Sequence, residues 1–379
     1  MNWPLVCGLI LFLCILVSII LVSIFSQESP GAEMIQWDRL NREKAKNAEA
    51  EARKTLSKPE QLARIWAEPA GASQLFKVPA EYLAARKSQF ANLGAGGGAG
   101  ASADLSKGIV LTASDAYAQQ ASTLILELRQ LGCNLPIELW YRSKELSSAT
   151  IPGLQDSKYR VLCHCIDLVA PLPVTHKFSI KVIAMYLCTF DQFLYLDADN
   201  HVLADPTPLF DAPEFQAHGA LFWPDRWPLN RESIAAYQGW TPDQLAQLPT
   251  HQQNTAQVML QRERYATQLW MIYRILENGL EPLFPAPYNY GDKDVFHSTW
   301  IATGQRFGWI AHPVREVLDA QDQVVGLCQM DPAGKPLFLQ EITPGPWVSL
   351  RNPDTLKTAP IPGEVEAARK TLQLTMLGK

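Results

Sequence analysis

The chain has 379 residues, 47% of them hydrophobic and 19% charged, with a formal net charge of -5. That length supplies one large core or two ordinary ones, and the acidic balance provides no basic surface, which excludes a nucleic-acid binder. Two of the seven cysteines, Cys7 and Cys14, fall in the first apolar stretch, and the odd five beyond it need not pair.

The first element is that stretch. From Trp3 to Phe25 no residue is charged, and Leu, Ile and Val dominate. A helix of this length, rising about 1.5 Å per residue, crosses a hydrocarbon core about 30 Å thick. It reads as a membrane anchor or an unusually long signal peptide. The leading Met1-Asn2-Trp3 has no Lys or Arg and the apolar run exceeds the span of about 7–15 residues in a cleaved signal, so an uncleaved anchor over residues 1–26 is the expectation. Arg39, Arg42, Lys44 and Lys46 follow it, which by charge bias alone holds the bulk of the protein in the cytoplasm. Glu28 and Glu33 intervene, and large domains translocate regardless, so orientation stays open on charge. The sequence has no Asn-x-Ser/Thr sequon, so a lumenal domain would carry no N-linked glycan.

Residues 27–106 read as a helical stem and linker. Ala, Glu, Lys and Arg dominate up to about residue 70, the pattern of an exposed helix and not of a core, and a second helix is expected over Pro79 to Leu93. Gly94 to Ala103 (GAGGGAGASA) has too much backbone freedom for regular structure and lacks the Gly-Lys-Ser/Thr ending of a phosphate loop, so it reads as a flexible linker.

From Lys107 the rhythm is α/β. KGIVLT (107–112) is a strand, Ala116 to Leu131 has helical apolar spacing, and PIELWY (136–141) is a strand, which makes one βαβ unit of a parallel sheet covered on both faces. Tyr159 to Ile166 is a third strand. A zinc reading of its Cys163-His164-Cys165 lacks a second ligand pair, and strand alternation sends His164 to the opposite face from both sulfurs. Phe178 to Thr189 is a helix that leads into the strand Gln192 to Leu196.

That last strand ends in Asp197-Ala198-Asp199-Asn200. A buried parallel strand reads as a continuous apolar run, and ligands of open α/β sheets bind at the carboxyl ends of strands. Asp197 and Asp199 therefore stand at the rim, close enough to repel unless a cation lies between them. Oxygen ligands of this kind suit Mn²⁺ or Mg²⁺ carrying a substrate phosphate. The competing reading is a turn, since Asp205-Pro206 and Thr207-Pro208 follow; an EF-hand is excluded because no Gly stands at its sixth position. Further on, Ala220 to Trp223 reads as a buried strand with Asp225 at its end. Gly291-Asp292-Lys293-Asp294 opens a helix over Val295 to Thr303, where either Asp292 or Asp294 can act as the cap.

These segments carry a resemblance. KFSIKVIAMYLCTFDQFLYLDADN, PLFDAPEFQAHGALFWPD and YNYGDKDVFHSTWIATG, with the earlier GIVLTASDAYAQQ, resemble glycosyltransferase family 71, the fungal Golgi α-mannosyltransferases, from about Lys107 to Leu339. The resemblance implies a GT-A nucleotide-sugar-binding fold, a mixed and mostly parallel sheet flanked by helices, over residues 107–350, with 351–379 as a tail. It implies a type II Golgi membrane protein that transfers a sugar from a nucleotide donor to a glycan acceptor with retention, with Asp197 and Asp199 holding Mn²⁺ or Mg²⁺ and GDP-mannose as donor.

In that setting Lys181 is expected to contact phosphate, Gln257 matches a donor-site glutamine, and Gly291, Asp292, Lys293 and Asp294 lie on the donor-sugar side. Asp225, Asp292 and Asp294 are the candidate catalytic carboxylates, either as nucleophile or around a front-face displacement. Two departures from the family pattern stand out: Asn254-Thr255-Ala256 replaces a usual Glu-Ser-Gly before Gln257, and Gln340 occupies the place of an expected metal-binding His. They leave open a related transferase using a UDP-sugar, or a catalytically silent carbohydrate-binding protein on the same fold.

Overall fold

The computed structural model describes residues 57–67, 80–94, 106–156, 158–169, 174–229, 231, 240–280, 291–342, 349–351 and 358–360. The expected anchor over residues 1–26 and the linker beyond Gly94 lie outside the described residues, as does the tail after residue 360. Among the described residues no helix is long and apolar enough to cross a membrane.

The chain divides into two units, residues 1–61 and 62–379. In the first, Ser57 donates from its backbone N–H (2.8 Å) and its hydroxyl (2.6 Å) to the Glu60 carboxylate, capping the start of a helix. The second unit contains the sheets and the site.

Thirteen strands are described. The first seven are β1 (Lys107–Thr112), β2 (Ile137–Tyr141), β3 (Val161–Cys165), β4 (Gln192–Asp197), β5 (Asn200–Val202), β6 (Ala220–Pro228) and β7 (His251–Gln261). The rest are β8 (Gly308–Trp309), β9 (Arg315–Leu318), β10 (Val324–Met330), β11 (Pro336–Glu341), β12 (Ser349–Arg351) and β13 (Thr358–Pro360). The principal helices are α1 (Lys58–Trp66), α2 (Ala80–Gly94), α3 (Ala118–Gln130), α4 (Ser179–Leu187), α5 (Pro213–His218), α6 (Ala266–Glu277) and α7 (Val295–Ala302).

The main sheet has the order β3-β2-β1-β4-β7-β6-β8. Strands β3, β2, β1 and β4 are parallel, and β7 runs antiparallel to both β4 and β6. This is the mixed, mostly parallel sheet with helices on both faces that the GT-A expectation describes. A second sheet, β13-β12-β9-β10-β11-β5, is antiparallel throughout. Its β12 straddles residue 350 and β13 follows, so the expected domain boundary at residue 350 runs through a strand.

Alternation along the main strands divides the core in two. Val110, Phe193, Tyr195 and Leu260 face helices α4, α6 and α7, whereas Ile109, Leu111, Leu194 and Met259 face α3, α5 and the second sheet. Both faces being covered, Phe193 to Leu196 are all fully buried, which is why that run carries no polar residue before Asp197.

The stem reading needs correction at this point. Leu62, Ile65 and Phe90, from α1 and α2, are at most 3% exposed and belong to the first core cluster, where Phe90 packs on Phe190 at a 5.7 Å ring separation. The abundance of charged residues in these segments masked a narrow apolar stripe, and a stripe of a few residues is all that a helix lying on a core requires.

Candidate functional site

Strand β4 ends at Asp197, opposite Thr112 of β1. After the turn Ala198-Asp199 the chain enters β5 and leaves the main sheet for the second, where Asn200 pairs with Gln340 of β11. Asp199 therefore sits in the crossing between two sheets. Asn200, buried, holds that crossing by donating through Nδ2 to Asp197 O (3.3 Å) and to Ala256 O of β7 (2.8 Å).

Both oxygens of the Asp197 carboxylate have partners. Tyr195 donates to Oδ1 at 2.7 Å, itself in contact with Thr112 Oγ1 at 2.8 Å, and Lys181 Nζ of α4 donates to Oδ2 at 3.1 Å. Lys181 also donates to Thr255 O at 3.2 Å and forms an ion pair with Asp292 Oδ2 at 3.0 Å. Its side chain is 5% exposed. Burial alone would lower its pKa, but Asp197 and Asp292 outweigh that and hold it above the ordinary lysine range.

Asp199 lies beside this group. Burial first, and then the charge of Asp197, raise its carboxyl to about 6, against the opposing pull of Lys181 and Gln340. Its Oδ1 is buried and has no hydrogen-bond partner. Gln340, the residue at the place of an expected histidine, accepts at Oε1 from Asn254 Nδ2 at 3.1 Å. Asn254 in turn accepts at Oδ1 from Ala256 N (2.8 Å) and from Gln257 Nε2 (3.3 Å), which leaves the fully buried Gln257 with an unpartnered Oε1. The altered Asn254-Thr255-Ala256 segment is thus wired to the altered Gln340.

Gly291 to Asp294 forms the turn before α7, and it supplies the other half of the site. Gly291 has φ +75°, and a Cβ there would lie 1.8 Å from the Phe178 ring, so close backbone approach and left-handed geometry both require glycine. Asp292, 2% exposed, reaches Lys181; Lys293 reaches Asp225 Oδ2 at 2.5 Å.

Asp294 occupies the cap position of α7 in the left-handed region (φ 63°) but does not cap it. Its Oδ1 instead accepts from Gln253 N of β7 at 2.8 Å, and Oδ2 is buried without a partner. Burial, reinforced by Asp225, raises its carboxyl to about 7 despite the Gln253 bond and Lys293. His297 Nδ1 stands 3.7 Å from Asp294 Oδ1, and burial lowers that imidazole to about 3.

The structure therefore brings Lys181, Asp197, Asp199, Asp225, Gln257, Gly291, Asp292, Lys293 and Asp294 into one connected cluster. Two expectations are corrected. Asp225 is not at a strand end: β6 continues to Pro228, and Asp225 lies where its register against β7 shifts between Pro224 and Pro228. Neither Asp292 nor Asp294 caps α7, because Lys181 and Gln253 engage them first. Lys181 is buried between carboxylates and not presented to solvent. Sequence reasoning missed Tyr195, Asn200 and Gln253. Tyr195 was hidden in an apolar run, and the unusual polar density of His251 to Gln257 inside a strand was the signal for Gln253.

Among the described residues no three His, Cys, Asp or Glu side chains converge as a metal site. Asp197 and Asp199 stand as a pair, with Gln340 as a neutral oxygen donor.

Residues 106–239 match the mannosyltransferase family model Mannosyl_trans3. The match is confined to that segment. It includes β1 to β6, Lys181, both aspartates of the pair and Asp225. Curated relatives include alpha-1,2-mannosyltransferase MNN22 of Candida albicans, 32% identical over 132 residues, and alpha-1,2-mannosyltransferase MNN5 of Saccharomyces cerevisiae, 29% identical over 128 residues. Each alignment covers 32% of this chain and 22% of the relative, so the chain spans about a fifth of the length of the curated relatives it matches.

Similar solved structures include proteins that are glycosyltransferases in name. The galactosyltransferase LgtC, in complex with donor and acceptor sugar analogs, has a TM-score of 0.36 at 14% identity, covering 50% of this chain and 69% of its own. Core-mannan synthase A of Aspergillus fumigatus, in a Mn/GDP form, has a TM-score of 0.33 at 8% identity, covering 55% and 72%.

Proposed function

We propose that this chain is a retaining, metal-dependent glycosyltransferase that moves mannose from GDP-mannose onto a glycan acceptor, anchored in the Golgi membrane by residues 1–26. The observation that carries the reading is the position of Asp197 and Asp199: they close the central buried strand inside the mannosyltransferase segment, and Lys181 joins them to the Gly291–Asp294 turn.

The donor set fits a hard divalent cation. Asp199 Oδ1 is a buried oxygen without a partner, its carboxyl is raised by burial and then by the charge of Asp197, and Gln340 adds an amide oxygen. Asp197 and Asp199, with Gln340, would hold the ion, which supplies Lewis-acid neutralisation of charge on the departing diphosphate. Lys181 holds Asp197 in place, a positioning task, and Lys293 is the less buried cation on the donor side, 21% exposed beside Asp225.

Burial of the three candidate catalytic carboxylates supports front-face displacement. Asp225, Asp292 and Asp294 are each at most 2% exposed, and the first two are committed to lysines. The acceptor oxygen then bonds to the anomeric carbon on the face from which the phosphate oxygen departs, and the acceptor hydroxyl proton passes to that phosphate oxygen. The site's part is to orient donor and acceptor and to keep water out.

A donor panel tests this: the full chain with Mn²⁺ is incubated with GDP-mannose and with UDP-sugars, and free nucleotide is measured. Turnover confined to GDP-mannose is the expected result. Turnover of a UDP-sugar instead would move the assignment to a related transferase, and binding without turnover of any donor would favour the silent carbohydrate-binding protein.

A further inference from the structure

A cavity lies away from the catalytic cluster, between helix α2 and strand β3. It measures about 520 Å³, in the size range of small-molecule sites, and Tyr82, Arg86, Gln89, Gln155, Leu162 and His164 line it. None of these residues contacts Asp197, Asp199 or the Gly291–Asp294 turn.

Its polar groups are poorly satisfied. Arg86 is 6% exposed, with its guanidinium over the Tyr82 ring at 4.0 Å and near the Trp140 ring at 5.0 Å, yet its Nη1 is buried without a hydrogen-bond partner. Glu138, the neighbouring carboxylate, is already occupied by Thr189 and by Trp140 Nε1. His164, also 6% exposed, has an unpartnered Nε2, and so does the Tyr82 hydroxyl. Gln155 uses its carbonyl to accept from Cys163 N at 3.3 Å, which turns its amide NH₂ outward as a donor.

A buried, stacked guanidinium with an idle donor is costly unless something accepts from it. Apart from Glu138, whose oxygens are already occupied, the groups that line the cavity around it are donors or can act as donors. We infer that the cavity between α2 and β3 is a binding site for a small organic anion, whose phosphate or carboxylate group accepts hydrogen bonds from Arg86 Nη1, Tyr82 Oη and Gln155. Arg86 supplies charge and planar geometry, and the remaining volume accommodates a body of about monosaccharide size over Leu162.

The site is independent of the donor-sugar chemistry. It joins a helix that precedes the mannosyltransferase segment to the edge strand of the main sheet, so its ligand would tie these two parts together.

The test is titration calorimetry of the full chain with inorganic phosphate and, separately, with acetate, at constant chloride. The two arms distinguish a phosphate from a carboxylate ligand. Binding of at least one anion is expected, weakened about tenfold in Tyr82→Phe, which keeps the ring under Arg86 and deletes one donor to a charged acceptor, and abolished in Arg86→Gln. Tyr82→Phe decides the matter if Arg86→Gln fails to fold. Absence of binding by both anions, or affinity unchanged in Tyr82→Phe, would overturn the inference.

Discussion

Lys181 and Asp197 meet at 3.1 Å across the gap between helix α4 and the end of strand β4, and the same ammonium reaches Asp292 at 3.0 Å. One buried cation thus fastens the acidic turn of the main sheet to the turn that opens α7, and the candidate site exists only while both attachments hold.

Removing that cation leaves Asp292 buried and uncompensated. Lys181→Met should lower stability by about 3–5 kcal/mol, the usual cost of breaking a buried pair. Lys181→Met with Asp292→Asn should recover much of the loss in urea denaturation without recovering sugar transfer. If the double variant is no more stable than the single one, the coupling between these residues is absent.

The link between Gln340 and the acidic pair predicts a gain. Imidazole binds Mn²⁺ better than an amide oxygen does. Gln340→His should therefore lower the Mn²⁺ concentration at half-maximal activity, although it also gives up the bond from Asn254 Nδ2. An unchanged or increased requirement would place Gln340 outside the ion's reach.

Asp294 and His297 set opposite pH dependences. Asp294 has its carboxyl raised from 3.8 to about 7, so between those values the folded chain binds more protons than the unfolded one, and this group makes stability fall as pH rises. His297 is lowered from 6.5 to about 3, so its contribution falls as pH drops through that window. Asp294→Asn removes the first effect only. Urea midpoints should then rise more steeply with pH between 4 and 7 than in the parent chain, and parallel profiles would contradict the burial of an ionisable Asp294.

Gly291 should not tolerate a side chain. Gly291→Ala combines a left-handed backbone with a clash on the Phe178 ring, and a loss of about 1–3 kcal/mol is expected from the backbone alone. A melting temperature equal to that of the parent would contradict the turn geometry.

The main sheet was legible because its strands are buried on both faces and therefore spell continuous apolar runs, as in Phe193 to Leu196. The second sheet was largely illegible. Its β5 is three residues long with an intermediate His201 at its centre, and β12 and β13 are equally short. Asp225 read as the end of a strand, yet β6 passes through Pro224-Asp225. Proline has no N–H to offer a ladder, and here the irregular register against β7 removes the need for one. Asp197, Asp199 and the Gly291–Asp294 turn were legible as motifs. Their connection through Lys181 was not, since it joins residues 16 and 111 positions apart and only packing brings them together.

The most direct test of the account is transfer from GDP-mannose by the full chain, with and without Mn²⁺, for the parent, Asp197→Asn and Asp199→Asn. Both variants keep the shape of the turn. The account predicts Mn²⁺-dependent release of GDP by the parent and its loss in both variants. Equal release from GDP-mannose by the parent and the two variants, or release by the parent that ignores chelation of the metal, would contradict it.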